Sequence, residues 1–456
     1  MTSDLTLSRA AIKYGGTLAA PDCKFNAVST DSRTIQPGDL FVALSGERFD
    51  GHAYLNEVKD KACGLVVQHY ARQLDLPQWV VEDTTKALGQ LASLKREQFS
   101  GPVIAITGSS GKTTVKEMVA AILSEKGNVL ATLGNLNNHI GVPQTLFRLS
   151  PEHQFAVIEM GASAEGEIAY LCALASPNIV LVNNVLPAHV AGFGSVDGIA
   201  RAKGEIYEGV NSSGTAVINI DEQYRNDWIA SCATKTLLTF SMQEKADFNA
   251  ADLQSTASGC IEFILKTPAG KCPVKLAVPG KHNVANALAA SACAYAAGAS
   301  LEQIASGLAS LKSLNSRMQT LPGKNGATVI DDSYNANPGS MAAAINTLCS
   351  MPGEAILAMG DMAELGSEAE LLHGEVGRYA RHNGVQKLFA VGPLGREAVK
   401  EFGEGASHFE TWQALAKALL PVMQQETVVL VKGSRSAGME RVVAVITENP
   451  DQKGGK

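Results

Sequence analysis

Short runs of consecutive apolar residues alternate along this chain with longer stretches in which apolar positions recur every three or four residues. Val103-Ile104-Ala105-Ile106-Thr107 is such a run, β-branched and unbroken by polar residues, and it stops at Gly108. It reads as a strand buried on both faces. The period then changes: Val115, Met118, Val119, Ile122 and Leu123 fall at i, i+3, i+4, i+7 and i+8, one stripe on a helix, with Gly127 just past it as a stop signal. Further strands are predicted at 155–160, 179–183 and 216–220 with helical patterns between them, an alternation that implies a mostly parallel sheet. The segment 245–280 loses this rhythm and is predicted as a β-rich excursion. An Ala-rich helix over 283–297 and a shorter one over 301–311 lead to Ser316-Arg317. Beyond, strands at 328–331, 355–359, 387–391 and 427–431, each followed by helical sequence, predict a second doubly wound unit. Ahead of all this, apolar runs at 40–44 and 64–67 sit among polar, turn-rich stretches, as in a small α/β unit.

The 456 residues have room for about three domains. They are predicted at 1–82, 83–314 and 315–456, an α/β chain throughout, with a small α/β first part, a parallel-rich sheet in the central part and a Rossmann-like last part. Apolar residues at 45% and charged ones at 18% exclude a disordered chain, and a net charge of −7 argues against nucleic acid as the main partner. The eight cysteines form no C-x-x-C pair, which argues against a zinc site or a disulfide framework and fits a reducing compartment. Met1-Thr2-Ser3-Asp4-Leu5 has neither a basic nor an apolar signal region, and the apolar helical stretch 284–297 falls short of the ~18 residues that cross a bilayer. A cytoplasmic, soluble monomer without membrane insertion is expected, with a disordered tail over 449–456.

Chemistry enters at the end of the first long strand. Gly108-Ser109-Ser110-Gly111-Lys112-Thr113-Thr114 lies between a predicted strand and a predicted helix, the context of a phosphate-binding loop. Small residues let the backbone curl so that successive N–H groups face one anion, and the helix N-terminus adds positive potential. Lys112 would reach the terminal phosphates of a nucleotide and the Thr113 hydroxyl would ligate Mg²⁺. The usual leading glycine is missing, since Ile106 stands five residues before Gly111. ATP is favoured over GTP, because Asn219-Ile220-Asp221 lacks the lysine of a guanine motif.

Gly111-Lys112-Thr113-Thr114 without that glycine resembles the phosphate loop of the Mur ligase family, and further motifs follow in that family's order. They include Ile158-Glu159-Met160-Gly161-Ala162, Asn183, Pro187-Ala188-His189, Ala202-Lys203-Gly204-Glu205, Gly280-Lys281-His282-Asn283-Val284-Ala285-Asn286 and Ser316-Arg317. Gly134-Asn135-Leu136-Asn137-Asn138, Asp331-Asp332-Ser333-Tyr334-Asn335-Ala336-Asn337-Pro338, Met359-Gly360-Asp361-Met362 and Val431-Lys432-Gly433-Ser434-Arg435 are similar to the branch that adds D-Ala-D-Ala. Ser29-Thr30-Asp31-Ser32-Arg33 and Phe49-Asp50-Gly51-His52 look like that branch's UDP-sugar domain, so the resemblance spans essentially the whole chain. It implies an ATP-dependent acid–D-amino-acid ligase. UDP-MurNAc-tripeptide and ATP would give an acyl phosphate and ADP, and the amine of D-Ala-D-Ala would then displace phosphate to give the pentapeptide. Bringing anions together explains a cation set of Mg²⁺, Lys112, Arg317 and Lys432.

The same resemblance gives roles to single residues, each with a plainer alternative. Glu159 and His189 would join Thr113 as Mg²⁺ ligands; by themselves they read as a helix cap or solvated strand end, and a packed or surface histidine. Lys203 matches a lysine carbamylated in several family members, whose carbamate would be a further oxygen ligand; otherwise it is a solvated lysine on a helix. Asn283 and Asn286, three apart on one helix face, would serve the nucleotide, or cap and line the helix. Asp332 would bind ribose, and Lys432, at a strand's carboxyl end, would neutralise the acyl phosphate. Asn335 and Asn337 would face the nucleotide or the dipeptide, or make Asx turns. Asn135, Asn137 and Asn138 would line the muramyl-peptide channel. Ser29, Asp31, Ser32 and Arg33 would hold uracil and diphosphate, or form a strand-exit turn with a surface salt bridge. Two rival functions stay open on sequence: a sibling ligase that adds a single amino acid or glutamate, and a nucleotide-switched binding protein.

Overall fold

Three main sheets organise the chain, and the unbroken apolar runs become their central strands. The computed structural model describes residues 5–448 apart from 20, 47–48, 188–189, 233, 235, 257–258 and 312–314. The position placed as a domain limit at 314, the tail 449–456 and His189 therefore lie outside the described residues.

The largest sheet has nine strands. Its centre is Val103–Thr107, flanked in parallel by Phe155–Glu159 and Ile179–Val182, with all three fully buried. Apolar faces on both sides explain the unbroken runs. Ile104 and Ile106 pack with Val115, Met118 and Ile122 on one face, and Val103 and Ala105 with Ile158, Val182 and Ile199 on the other. Each such side chain contributes roughly 1.5–3 kcal/mol by leaving water. Register fixes what matters for chemistry. Glu159 lies beside Ile106, and Val182 beside Thr107, so the phosphate loop and Glu159 emerge from the same carboxyl edge.

The segment expected as a β-rich excursion is three antiparallel strands, Phe248–Ser255, Cys260–Thr267 and Gly270–Pro279. They extend the central sheet, because Phe248 pairs in parallel with Phe240 of Leu237–Ser241. Ile261, Phe263 and Leu265 are buried while Glu262 and Ile264 between them are only partly so, the two-residue period of a strand with one wet face.

The last sheet has six strands, parallel except for the edge strand Gln319–Pro322. Ile330, Leu357 and Leu430 feed a core on one face, and Val329, Ile356 and Val429 a second core on the other. Helices on both faces make it doubly wound, as expected. Strands absent from the sequence reading, Val129–Ala131, Leu237–Ser241, Gln319–Pro322 and Ala406–Phe409, are short or peripheral and carry few buried apolar residues.

A five-stranded sheet organises the first part. Helix Thr84–Arg96 serves two cores: Leu88, Leu91 and Leu94 face the first sheet, while Ala92 packs into the central unit. Arg96 ties it further, its guanidinium donating to the carbonyls of Ala175 at 2.7 Å and Ser176 at 2.9 Å.

Candidate active site

The carboxyl ends of the central and last sheets border one cleft of about 630 Å³. On the central side, Gly111 is held at φ 77°, where a side chain would be strained, and an added Cβ would stand 2.6 Å from both Asn183 Nδ2 and Asn286 Oδ1. The loop is strapped to residues 183–186. Ser109 N donates to the Asn184 carbonyl at 2.9 Å, Ser110 N to Asn184 Oδ1 at 2.8 Å, and Asn183 Nδ2 to the Ser110 carbonyl at 3.0 Å. The loop backbone is thus fixed, with the Ser109 and Ser110 N–H groups engaged by Asn184, so an anion would meet the N–H groups that follow them.

Lys112 folds back to donate to the Gly108 carbonyl at 2.8 Å. Burial, reinforced by Arg317, lowers its pKa, while Glu159 opposes the shift. Thr113 Oγ1 donates to Glu159 Oε2 at 2.7 Å, and Asn137 Nδ2 donates to Glu159 Oε1 at 2.8 Å. Glu159 is buried and its backbone N–H donates to Thr132 Oγ1 at 3.0 Å, so it is neither a helix cap nor a solvated strand end. Lys203 is likewise buried rather than solvated, and burial, with Lys112 nearby, brings its pKa down to about 7.

The asparagines divide. Asn283 is not a cap: it sits inside helix His282–Ala296 and donates to the Pro279 carbonyl at 2.7 Å. Asn286 donates to Asn283 Oδ1 at 2.8 Å and accepts from Asn183 at 2.9 Å. These three buried amides form one chain that props the loop from behind while bordering the cleft. Asn138 accepts from the N–H groups of Ile140 and Gly141, and Asn337 caps helix Pro338–Ser350 by accepting from Ser340 N at 2.8 Å. Asn335 accepts from Ala336 N at 2.9 Å. The local turn chemistry weighed for Asn335 and Asn337 is therefore present, although both, with Asn135, Asn137 and Asn138, also line the cleft.

The opposite wall carries Arg317, Asp332 and Lys432. Arg317 stacks over Tyr334, 3.9 Å from the ring centre, between Ser316 and Met318, both at positive φ. Lys432, buried, donates to Asp332 Oδ2 at 2.5 Å and to the Asn335 carbonyl at 2.9 Å. The ribose role expected for Asp332 thus competes with a strong ion pair.

Ser29, Asp31, Ser32 and Arg33 do not border this cleft. Asp31 accepts from Arg33 Nε at 2.9 Å and Nη2 at 2.6 Å, with the Arg33 side chain 84% exposed. Ser29 Oγ donates to the Asp31 carbonyl at 3.0 Å, closing the turn. The turn with a surface salt bridge is what the structure holds.

Asn183 and His282 are among the cleft residues that received no role from sequence. Asn183 links the loop to Asn286, and its signals were its place in the family's motif order and at a strand's carboxyl end. His282 borders the cleft near Asp332 and Lys432; burial, reinforced by Lys432 against the opposing Asp332, lowers its pKa to about 4. Its position one residue ahead of a predicted helix hid it.

Residues 24–96, 106–294 and 316–435 match, in turn, the catalytic domain of the Mur ligase family, the Mur ligase middle domain, and the Mur ligase glutamate ligase domain. The chain is 46% identical to the UDP-N-acetylmuramoyl-tripeptide–D-alanyl-D-alanine ligase of Escherichia coli over 98% of its own length and 99% of that relative. It is 34% identical to the ligase of the same name from Bacillus subtilis, over 98% and 99%. Among solved structures, MurF from Acinetobacter baumannii superposes with a TM-score of 0.91 at 36% identity, over 97% of this chain and 98% of that one. MurF ligase from Thermotoga maritima, solved in complex with ADP, gives 0.82 at 28% identity, over 92% and 96%.

Proposed function

The chain belongs to the Mur ligase family, and from that membership we infer that it joins D-alanyl-D-alanine to UDP-N-acetylmuramoyl-tripeptide in peptidoglycan synthesis, using ATP. The observation that carries the reading is one cleft with two walls. A preformed phosphate loop and the Thr113–Glu159 pair stand on one, and Arg317 and the Lys432–Asp332 pair on the other.

A carboxylate is a poor acylating agent, so the tripeptide's terminal carboxylate first attacks the γ-phosphorus of ATP and ADP leaves. The amine of D-alanyl-D-alanine then attacks the acyl phosphate carbon, phosphate leaves with the C–O bond electrons, and the nitrogen gives up a proton. The loop N–H groups beyond Ser110, with Lys112 and Arg317, would hold the phosphates, and Lys432 would offset charge on the acyl phosphate. Mg²⁺ prefers oxygen donors, and the adjoining Thr113 hydroxyl and Glu159 carboxylate fit it; a carbamate on Lys203 would add an oxygen. When bound, the ion neutralises phosphate charge. Asn137 orients Glu159 for that contact. His189 is proposed as a ligand from the resemblance alone. Asn135 and Asn138 are assigned to the peptide channel, and the Ser29–Arg33 turn to the UDP end. Domain limits are proposed near 82 and 314, and the cytoplasm, where ATP is supplied, is proposed as the reaction's location.

The test is phosphate release from ATP and Mg²⁺ with UDP-MurNAc-tripeptide, with and without D-Ala-D-Ala, together with the product mass. Release that needs both, with a pentapeptide product, is the expected result. Turnover with a single amino acid or glutamate instead would assign a sibling activity. ATP binding with silence toward every acceptor would favour a nucleotide switch.

A further inference from the structure

Helix Lys112–Ser124 buries a charge that the reaction outlined above does not use. Lys116 lies one turn beyond Lys112 with its side chain 1% exposed. An unpartnered ammonium in a core is costly, and a methionine would suit the helix equally well. Lys116 does have partners: Nζ donates to the Thr132 carbonyl at 2.6 Å and pairs with Glu117, also at 2.6 Å.

Thr132 is the informative partner. It follows Val129–Ala131, the edge strand of the central sheet, and opens the stretch 132–140 that brings Asn135, Asn137, Asn138 and His139 to the cleft. Its own N–H donates to the Val157 carbonyl at 3.0 Å, and its hydroxyl accepts from Glu159 N at 3.0 Å. Further along, Asn137 donates to Glu159 Oε1 at 2.8 Å and its carbonyl accepts from Gly161 N at 2.8 Å. The stretch is therefore fastened at its middle by Asn137 and at its root by Thr132, and Lys116 holds the root.

We propose that Lys116 is a positioning residue that seats the 132–140 loop against the phosphate-loop helix and so sets the tripeptide side of the cleft, an inference resting on the ligase reading above. The charge–dipole bond to the Thr132 carbonyl links the helix that carries Lys112 and Thr113 to the loop that carries Asn135 and Asn137. Losing it removes one of the three hydrogen bonds that hold Thr132 and so loosens the loop's root, while leaving the nucleotide loop, strapped separately by residues 183–186, in place.

Two variants test this in the full-length protein: Lys116→Met, which keeps the unbranched stem but ends one atom short and removes the donor, and Lys116→Gln, which keeps an N–H donor, one bond nearer the backbone, without the charge. For the Met variant the KM for UDP-MurNAc-tripeptide should rise about tenfold while that for ATP stays within about twofold, because displacement by a fraction of an ångström affects only the loop. Hydrogen–deuterium exchange should accelerate across 132–140 and stay unchanged in the helix, with the Gln variant intermediate in both readings. A lowered melting temperature with both constants and loop exchange unaltered would overturn the proposal, leaving a core ion pair and no more. If the Met variant does not fold, the Gln variant decides by the same two readings. Should the unaltered protein form no amide, the ligase reading falls, and loop exchange alone decides whether Lys116 seats the loop.

Discussion

Asp332 and Lys432 are 100 residues apart in sequence yet are paired neighbours in adjacent parallel strands, with their side chains in contact at 2.5 Å. Asp332 is 14% exposed and Lys432 3%, so neither charge is well served by water. Lys432→Met leaves that carboxylate without its cation and should destabilise the protein by about 3 kcal/mol. It also removes positive charge from the wall where an acyl phosphate would form, and kcat should fall by about 10²–10³. Lys432→Arg keeps the charge, but a planar fork in a slot shaped for an ammonium should leave it intermediate in both. Urea unfolding and steady-state rates on the same preparations check this. Lost stability with an unchanged kcat would make Lys432 a structural residue.

Glu159 is the acceptor that joins Thr113 to Asn137, and it does so as a buried carboxylate. Glu159→Gln keeps shape and one acceptor oxygen, so the fold should survive with little change in melting temperature. What disappears is the negative oxygen that Mg²⁺ prefers. The Mg²⁺ concentration giving half-maximal ADP formation should rise at least about tenfold, with kcat down about 10²-fold or more at saturation. Titrating Mg²⁺ at fixed, saturating ATP reads both. An unchanged Mg²⁺ dependence would remove Glu159 from the metal site.

The parts legible in sequence are those whose physics is local. Val103–Thr107 and Lys112–Ser124 announce themselves by period, and the loop between them by small residues and a lysine. Glu159 took its role from the family resemblance, and its place at a strand's carboxyl end, where such sheets keep their chemistry, agreed with that. Its burial and its hold on Asn137 depend on register with a separate strand, which no local pattern encodes. The asparagines show the same limit. Asn283 has the composition of a cap and the geometry of a brace, because Lys281 takes the cap position. Arg33 matched a motif, yet its nearest carboxylate is Asp31, two residues away, and the pair forms an exposed turn outside the cleft. Lys116 drew no reading from sequence; the Thr132 carbonyl it meets, just past the edge strand, explains it.

Lys203 should be modified in a pH-dependent way. Burial and the neighbouring Lys112 bring its pKa from 10.5 to about 7, so the neutral amine becomes the major form as pH rises through about 7. Carbon dioxide adds only to the neutral amine, and the carbamate that forms is anionic. A ¹³C resonance from labelled bicarbonate should therefore grow between about pH 6 and pH 8 and be absent in Lys203→Ala. An ordinary surface lysine would stay protonated across that range. No signal over the interval would show that Lys203 acts as an amine or not at all, and a signal that does not grow with pH would overturn the lowered pKa.

His282 should make the protein acid-sensitive in a defined window. Burial, with Lys432 beside it, lowers its folded pKa from 6.5 to about 4, and Asp332 is the one opposing charge among the groups acting on it. Between those two values the unfolded chain takes up a proton at this site and the folded chain does not. The unfolded state therefore binds more protons, and stability falls as pH drops from about 6.5 toward about 4. Below the lower value both states are protonated and the slope from this residue ends. His282→Gln lacks the titration, so it should lose less stability than the unaltered protein on going from pH 7.5 to pH 5, whatever packing cost it carries at neutrality. Urea midpoints for both proteins at half-unit pH steps isolate the effect, because the other titrating groups are common to the two. Parallel curves would mean that His282 is solvated in the folded state and that its titration does not couple to the fold.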